Sequence, residues 1–113
     1  MELKTNNAQI RFNQRGSAIS FISNGEELLA PGADQRPLFS LRLRNGLGNP
    51  IDVRAFDFTN IDYAAGEDTL VFSYSGHDRL NLKVIACIRV DRAEDCLRFT
   101  LDIDNDTDCY VEY

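Results

Sequence analysis

Apolar residues recur at every second position along much of this chain. The clearest run spans residues 97–104, where four apolar side chains alternate with polar ones. This period of two is that of a β-strand with one buried face. We therefore predict that four side chains of this strand face the core: Leu97, Phe99, Leu101 and Ile103.

The same alternation appears in other segments. Phe39, Leu41 and Leu43 share one face of residues 38–44, and the even-numbered residues from Leu80 to Val90 form a long run that predicts a central strand. Between residues 53 and 63 the apolar parity changes twice, which predicts an irregular strand with a bend. Shorter strands are predicted around Ile10/Phe12, Ile19/Phe21, Ile51/Val53, Leu70/Phe72/Tyr74 and at residues 109–113.

Residues that favour turns separate these runs. Asn24-Gly25 is the strongest signal, because both residues tolerate the positive φ of a type I′ turn. About nine short strands without a helical period are typical of an antiparallel all-β sandwich. We predict one such domain over residues 1–113, as part of a longer chain, because residues 109–113 read as a strand that stops in mid-pattern.

Charge and hydropathy exclude two classes of partner. The formal net charge of −6 repels the phosphate backbone that dominates nucleic-acid affinity. The sequence has no run of about 20 apolar residues that could span a bilayer, and no signal-peptide pattern at its start. We expect a soluble protein that binds neither nucleic acid nor membrane.

The chain contains three cysteines, Cys87, Cys96 and Cys109, without CxxC spacing. An odd number argues against a disulfide framework, and the spacing argues against a zinc site. Free buried thiols are the favoured interpretation. If two of them pair, the sequence indicates Cys87 and Cys96, which flank one predicted hairpin turn.

Four alternating aspartates resemble a calcium loop: Asp102, Asp104, Asp106 and Asp108. Thr107 replaces the glycine that the sharp turn of such a loop needs, and Tyr113 replaces the closing glutamate. A solvated strand face followed by a turn explains them better. Asp104, Asp106 and Asp108 stay the calcium candidates, while we predict no metal and no cofactor.

The single histidine, His77, lies in the predicted turn Ser75-Gly76-His77-Asp78. An acid–base role would need a carboxylate partner, so an exposed loop histidine is the favoured interpretation. The phosphate-loop, nucleophile-elbow and metalloprotease motifs are absent. We predict no catalytic residue.

Exposed aromatic rings could stack on sugars. The chain has no tryptophan, and its candidates are four tyrosines. Tyr63, Tyr74 and Tyr113 follow the strand parity toward an apolar face, which predicts core packing. Tyr110 is the exception.

The opening of the chain resembles a known family. Residues 8–22 form a strand, a glycine turn at Gly16 and a second strand, and Gly25-Glu26-Glu27-Leu28-Leu29-Ala30-Pro31 follows. This layout, the strand at residues 37–44 and the continuation at residues 105–113 resemble the N-terminal galactose-mutarotase-like β-supersandwich domains of large carbohydrate-active enzymes. The resemblance implies an architectural domain packed against a catalytic one. True mutarotases use paired histidines and a glutamate base, whereas this chain has only His77.

Three functions follow as hypotheses. The first is a non-catalytic accessory domain of a glycoside hydrolase or related protein, whose partner is the rest of its own chain. The second is a free-standing carbohydrate-binding module. The third is a protein-interaction sandwich, including a dimer formed through an exposed edge strand at Cys109–Tyr113.

Overall fold

The chain folds as an all-β protein. The structure, a computed structural model, describes residues 1–14, 16–29 and 38–112. Strands make up 64% of the described residues, which contain no α-helix. The strands are β1 (Glu2–Lys4), β2 (Ala8–Phe12), β3 (Ala18–Ser23), β4 (Glu26–Glu27), β5 (Ser40–Arg44), β6 (Pro50–Arg54), β7 (Phe58–Ala65), β8 (Thr69–His77), β9 (Leu82–Asp91), β10 (Cys96–Asn105) and β11 (Tyr110–Glu112).

The strands form three antiparallel sheets. The N-terminal sheet has the order β1-β2-β3-β4, the large sheet β10-β9-β8-β7, and the three-stranded sheet β11-β5-β6. Strand β9 lies between β8 and β10, which confirms the predicted central strand. Asn24 and Gly25 have φ values of 51° and 82°, so both adopt the positive φ that the predicted turn requires.

The core lies between the large sheet and the two smaller ones. Phe12 of the N-terminal sheet packs edge-on against Phe72 of β8, with ring centroids 5.6 Å apart. Phe39, which precedes β5, packs edge-on against Tyr74 of β8 at 4.9 Å. Both smaller sheets therefore cover the same face of the large sheet, as in a sandwich.

Two differences from the sequence prediction concern local structure. The described residues form eleven strands and not about nine, because β1 and β4, with three and two residues, are too short to show a period. The parity changes between residues 53 and 63 correspond to a 3₁₀ turn, Ala55–Asp57, which separates β6 from β7. This turn is the predicted bend, and it lets both Val53 and Phe58 point into the core.

The prediction that Leu97, Phe99, Leu101 and Ile103 of β10 face the core is wrong for Phe99 and Leu101. Phe99 is 53% exposed and Leu101 is 42% exposed, whereas Leu97 and Ile103 are partly buried against the core. Register explains the position of all four, because they lie opposite Val90, Ile88, Ala86 and Val84 of β9, which are buried. The side chains point to the predicted face, but the covering sheets leave the middle of this edge strand open.

Tyr74 makes the stability of the fold depend on pH in the alkaline range. Its hydroxyl is buried without a hydrogen-bond partner among the described residues. Burial raises the pKa of Tyr74 from 10.0 to about 12. Between these two values the unfolded chain releases the proton and the folded chain keeps it, so stability falls as the pH rises. Below pH 10 the Tyr74 hydroxyl keeps its proton in both states, so its titration takes nothing from the free energy of unfolding.

We therefore expect the wild type to lose stability relative to Tyr74→Phe as the pH rises from 9 to 12. At neutral pH the variant should be the more stable by about 1 kcal/mol, because it lacks the unpartnered hydroxyl. Urea titrations at several pH values measure the difference. A difference that stays constant with pH would contradict the assignment.

Candidate functional site

A cleft with a volume of about 740 Å³ lies beside His77. It lies where β6, the 3₁₀ turn, the start of β7 and the end of β8 meet. His77 is not in a turn, as the sequence indicated, but is the last residue of β8 and is half-buried. Its ring packs edge-on against Phe58 at 5.6 Å. The predicted turn was wrong because Gly76, with φ of 77°, continues the strand.

Three polar side chains of this cleft, those of His77, Asp57 and Asp52, each bond to a different partner. Nδ1 of His77 accepts a hydrogen bond from the backbone N–H of Arg79 at 3.2 Å. Asp57 accepts the backbone N–H of Arg54 at 2.8 Å, and Asp52 pairs with Arg42 at 2.9 Å. No described carboxylate forms an ion pair with His77. The geometry thus assembles no acid–base pair around it.

The four aspartates of the calcium-like sequence do not converge. Asp102 and Asp104 lie exposed on the outer face of β10, as predicted for a solvated strand face. Asp106 is in the following turn, where its carboxylate accepts a hydrogen bond from the Asn81 side chain at 2.9 Å. Asp108 is exposed in the same turn. Within residues 1–14, 16–29 and 38–112, no group of three or more acidic, histidine or cysteine side chains could hold a metal ion.

All three cysteines are free and half-buried, so the thiols are less buried than predicted. The conditional pairing of Cys87 with Cys96 is wrong. Cys87 lies opposite Thr100, and Cys96 lies opposite Asp91, four positions further along β9. This offset corresponds to about 13 Å along the strands, well beyond the roughly 7 Å limit between the Cα atoms of a disulfide.

The tyrosines divide into buried and exposed ones. Tyr74 is in the core, as predicted. Tyr63 points to the same face as its neighbour Phe72 but is 47% exposed, because it lies on β7, the other edge of the large sheet. Tyr110 is 57% exposed, in keeping with its exceptional parity. Tyr113 lies outside the described residues.

The most distinctive exposed feature is the free edge of the large sheet. We call the side chains of Leu97, Phe99, Leu101 and Ile103, together with the backbone edge of β10 that pairs with no described strand, the β10 surface. Exposed phenylalanine and leucine side chains leave apolar area in water, which costs roughly 25 cal/mol per Å². Contiguous apolar patches of this kind mark interaction sites more often than isolated ones do.

The backbone of β10 adds hydrogen-bonding groups to this surface. The N–H of Asp106 donates to the carbonyl of Asn81 at 3.1 Å, which continues the β10–β9 register. Backbone groups alternate in direction along an antiparallel strand, so the even-numbered residues of β10 bond to β9. The odd-numbered ones therefore direct their N–H and C=O groups outward. The same four residues supply the apolar side chains and the free backbone groups.

A shallow apolar groove of about 320 Å³ borders one end of the β10 surface. Phe21 and Ala8 of the N-terminal sheet line it on one side, and Leu97 and Phe99 line it on the other. Asp95 holds the groove together at its end, because its carboxylate accepts the Asn6 backbone N–H at 2.8 Å and the Asn7 side-chain amide at 2.7 Å. The groove thus enlarges the apolar area beside β10.

The sequence interpretation missed this surface because it assigned the apolar face of β10 to the core. One signal was present: Arg98 and Asp102 stand symmetrically about Thr100, as do the four apolar residues. Such symmetry is a pattern that a strand needs if it is to pair with a copy of itself.

The fold and this surface define an antiparallel, sandwich-like all-β protein whose edge strand β10 exposes apolar side chains. Comparison with known proteins gives no significant match to a protein-family model, to a curated protein or to a solved structure. The part of the chain that the structure describes has no helix long and apolar enough to cross a membrane. The resemblance to galactose-mutarotase-like domains stays a prediction.

Proposed function

We propose that this chain is a non-catalytic structural domain of a larger carbohydrate-active protein and that it acts by association through the β10 surface. The observation that carries the association is the exposure of Phe99 and Leu101 beside a free backbone edge. The carbohydrate context rests on the resemblance of the opening strands. In support of that layout, β2 and β3 enclose a glycine turn at Gly16, where φ is 81°.

Hydrogen exchange tests the association. The experiment first determines the reading frame beyond residue 113. It then compares hydrogen exchange in this chain with hydrogen exchange in the natural full-length protein. In the full-length protein, or in an assembly of it, we expect the outward amides of Phe99, Leu101 and Ile103 to exchange more slowly than in a dilute sample of this chain. Amides of Phe99, Leu101 and Ile103 that exchange equally fast in both samples would contradict a role for the β10 surface.

The carbohydrate context has its own test in the same reading frame. A frame that continues into a catalytic domain with carbohydrate-active chemistry supports the proposal. A stop codon directly after Tyr113 contradicts the accessory role.

A non-catalytic role predicts no turnover by this chain alone. Polarimetry with galactose tests mutarotation, and chromogenic glycosides test hydrolysis. The residue to vary is His77, the one histidine of the sequence, which lines the cleft of about 740 Å³. Turnover that His77→Ala abolishes while the circular dichroism spectrum is unchanged would overturn the proposal.

A carbohydrate-binding module is the second candidate, and the exposure of Tyr63 favours it. The ring lies beside a depression of about 340 Å³ that Gln14, Thr59 and Asp62 help to line, so an apolar ring and polar groups occur together. If this module exists, Tyr63→Ala should weaken polysaccharide binding at least tenfold, since aromatic contacts dominate such sites. Tyr110→Ala, on a different sheet, is the control. Titration of the wild type without any binding would remove this candidate.

A further inference from the structure

The charges of β10 match those of a second copy of β10. When two identical antiparallel strands pair around a two-fold axis at Thr100, Arg98 faces Asp102 of the second copy, and Asp102 faces its Arg98. Both charged residues lie on the outer face of the strand. Cross-strand pairs of opposite charge stabilise an antiparallel sheet, and like charges destabilise it.

The apolar residues match in the same register. Phe99 then faces Leu101 of the second copy, and Leu97 faces its Ile103, so each of the four apolar side chains meets an apolar one. Moving the axis by one residue in either direction pairs Leu97 with Leu101 or Phe99 with Ile103, but leaves one end of the apolar set opposite Asp95 or Asn105. Of these three axes, only the one at Thr100 pairs every apolar residue with an apolar one and also pairs Arg98 with Asp102.

Backbone geometry permits this pairing. The outward N–H and C=O groups belong to the odd-numbered residues of β10, and the axis at Thr100 brings odd-numbered residues opposite one another. Phe99 and Leu101 of the second copy would therefore exchange a pair of hydrogen bonds. Thr100 would face its own copy in a pair without mutual backbone hydrogen bonds.

The charged residues are available for such contacts. Arg98 donates from Nε to Asp91 at 2.6 Å, and its terminal nitrogens, which bond to no other described residue, can donate to a second carboxylate. Its hydrogen bond also holds the pKa of Asp91 below the ordinary value. Asp102 has no hydrogen bond or ion pair with any described residue. An uncompensated carboxylate thus stands opposite the place where a second guanidinium would lie.

We infer that the β10 surface binds a second copy of this chain, so that two large sheets join into one antiparallel sheet of eight strands. The inference rests on the proposed function, because it names the partner of the proposed association. Strands β10 of the two copies pair around Thr100. The groove beside Leu97 and Phe99 receives Leu101 and Ile103 of the second copy. Isologous contacts of this kind give closed dimers.

Sedimentation tests the oligomeric state. The wild type should sediment as a dimer at high concentration and dissociate on dilution. Asp102→Arg should raise the dissociation constant about tenfold or more, because it places two like-charge pairs across the interface. Asp62→Arg is the matched control: it makes the same charge change at an exposed site on β7, the opposite edge of the sheet, and should leave the dissociation constant unchanged.

Charge complementation tests the register. A mixture of Asp102→Arg and Arg98→Asp should form a heterodimer, since both charge pairs are restored between the two chains, although each variant alone is weakened. Circular dichroism checks that each variant folds. If Arg98→Asp does not fold because it loses the ion pair with Asp91, disulfide cross-linking at Thr100 decides the register.

Cross-linking locates the axis. In a background with Cys87, Cys96 and Cys109 replaced by serine, Thr100→Cys should form an intermolecular disulfide under mild oxidation. The Cα atoms of such opposed residues lie about 4.5 Å apart, within the range of disulfides. Asp102→Cys is the control, because it faces Arg98 and not its own copy. Cross-linking by the control and not by Thr100→Cys would overturn the register.

The outcomes separate the inference from the proposed function. A wild-type chain that stays monomeric up to millimolar concentration overturns the second copy as partner. If the full-length protein nevertheless protects the amides of β10, a different segment occupies the surface and the proposed function stands. A dimer that neither Asp102→Arg weakens nor Thr100→Cys cross-links overturns the inferred interface.

Discussion

Gly16→Ala is expected to lower the free energy of unfolding by about 3 kcal/mol, from two separate causes. Gly16 has a φ of 81°, a conformation that costs an alanine about 1 to 2 kcal/mol. A Cβ added at this position would also lie 2.2 Å from the hydroxyl oxygen of Tyr74, which is far inside contact distance. Overpacking a core costs typically 1 to 3 kcal/mol more. Urea denaturation followed by circular dichroism measures the loss.

Gly25→Ala is the matched control for the backbone cause. Gly25 has almost the same φ, 82°, but a Cβ added there would meet nothing within 4 Å. Its replacement should cost only the conformational part, about 1 to 2 kcal/mol. If both substitutions cost the same, Gly16 does not pack closely against the Tyr74 hydroxyl.

A double-mutant cycle isolates the contact itself. In the Tyr74→Phe background the hydroxyl oxygen is gone, and the nearest remaining atom, Cδ1 of Phe72, would lie at 3.4 Å from the alanine Cβ. Gly16→Ala should therefore cost about 1 to 2 kcal/mol less there than in the wild type. Equal costs in both backgrounds would contradict the close approach of Gly16 to Tyr74.

Phe72→Ala is expected to cost about 3 to 5 kcal/mol, the range for removing a fully buried phenylalanine. Phe72 is completely buried, and its ring packs against the rings of Phe12, Tyr63 and Tyr74 at 5.6, 6.4 and 6.4 Å. Small domains are stable by only about 5 to 15 kcal/mol, so this variant should lie near the limit of folding.

Phe99→Ala is the control for Phe72→Ala. Both phenylalanines point to the same face of the large sheet, but Phe99 is half-exposed on the edge strand. Its replacement should cost about 1 kcal/mol when the chain is measured at low concentration, because little buried area is lost. If Phe72→Ala and Phe99→Ala lower the free energy of unfolding equally, then Phe99 is covered by other parts of the same chain in the monomer.

The strands themselves were predictable from the sequence because their signal is local. Alternation placed β5, β8, β9 and β10 correctly, and it also identified Leu43, Phe72 and Val84 as buried. The turn at Asn24-Gly25 was predictable for a similar reason, since φ preferences belong to single residues. Strands β1 and β4 were missed because strands of three and two residues are too short to show a period.

The candidate site was less accessible to sequence reasoning. The environment of His77 depends on a strand that continues through Gly76 and on the ring of Phe58, which lies opposite His77 on the neighbouring strand β7. The exposure of Phe99, Leu101 and Tyr63 depends on how far the covering sheets extend. Neither can be obtained from residue spacing, because both are set by contacts between segments that are distant in the chain.

The sequence by itself determined that this protein is an antiparallel all-β chain and which side of each long strand is apolar, because side chains alternate across a pleated strand wherever that strand lies. Only the tertiary structure decided which apolar sides are covered. The two smaller sheets pack over β8 and β9, so Phe72 is buried, while Phe99, with the same alternation, remains half in water at the edge. Burial is a property of the neighbouring layer, and an isolated strand carries no information about where that layer ends.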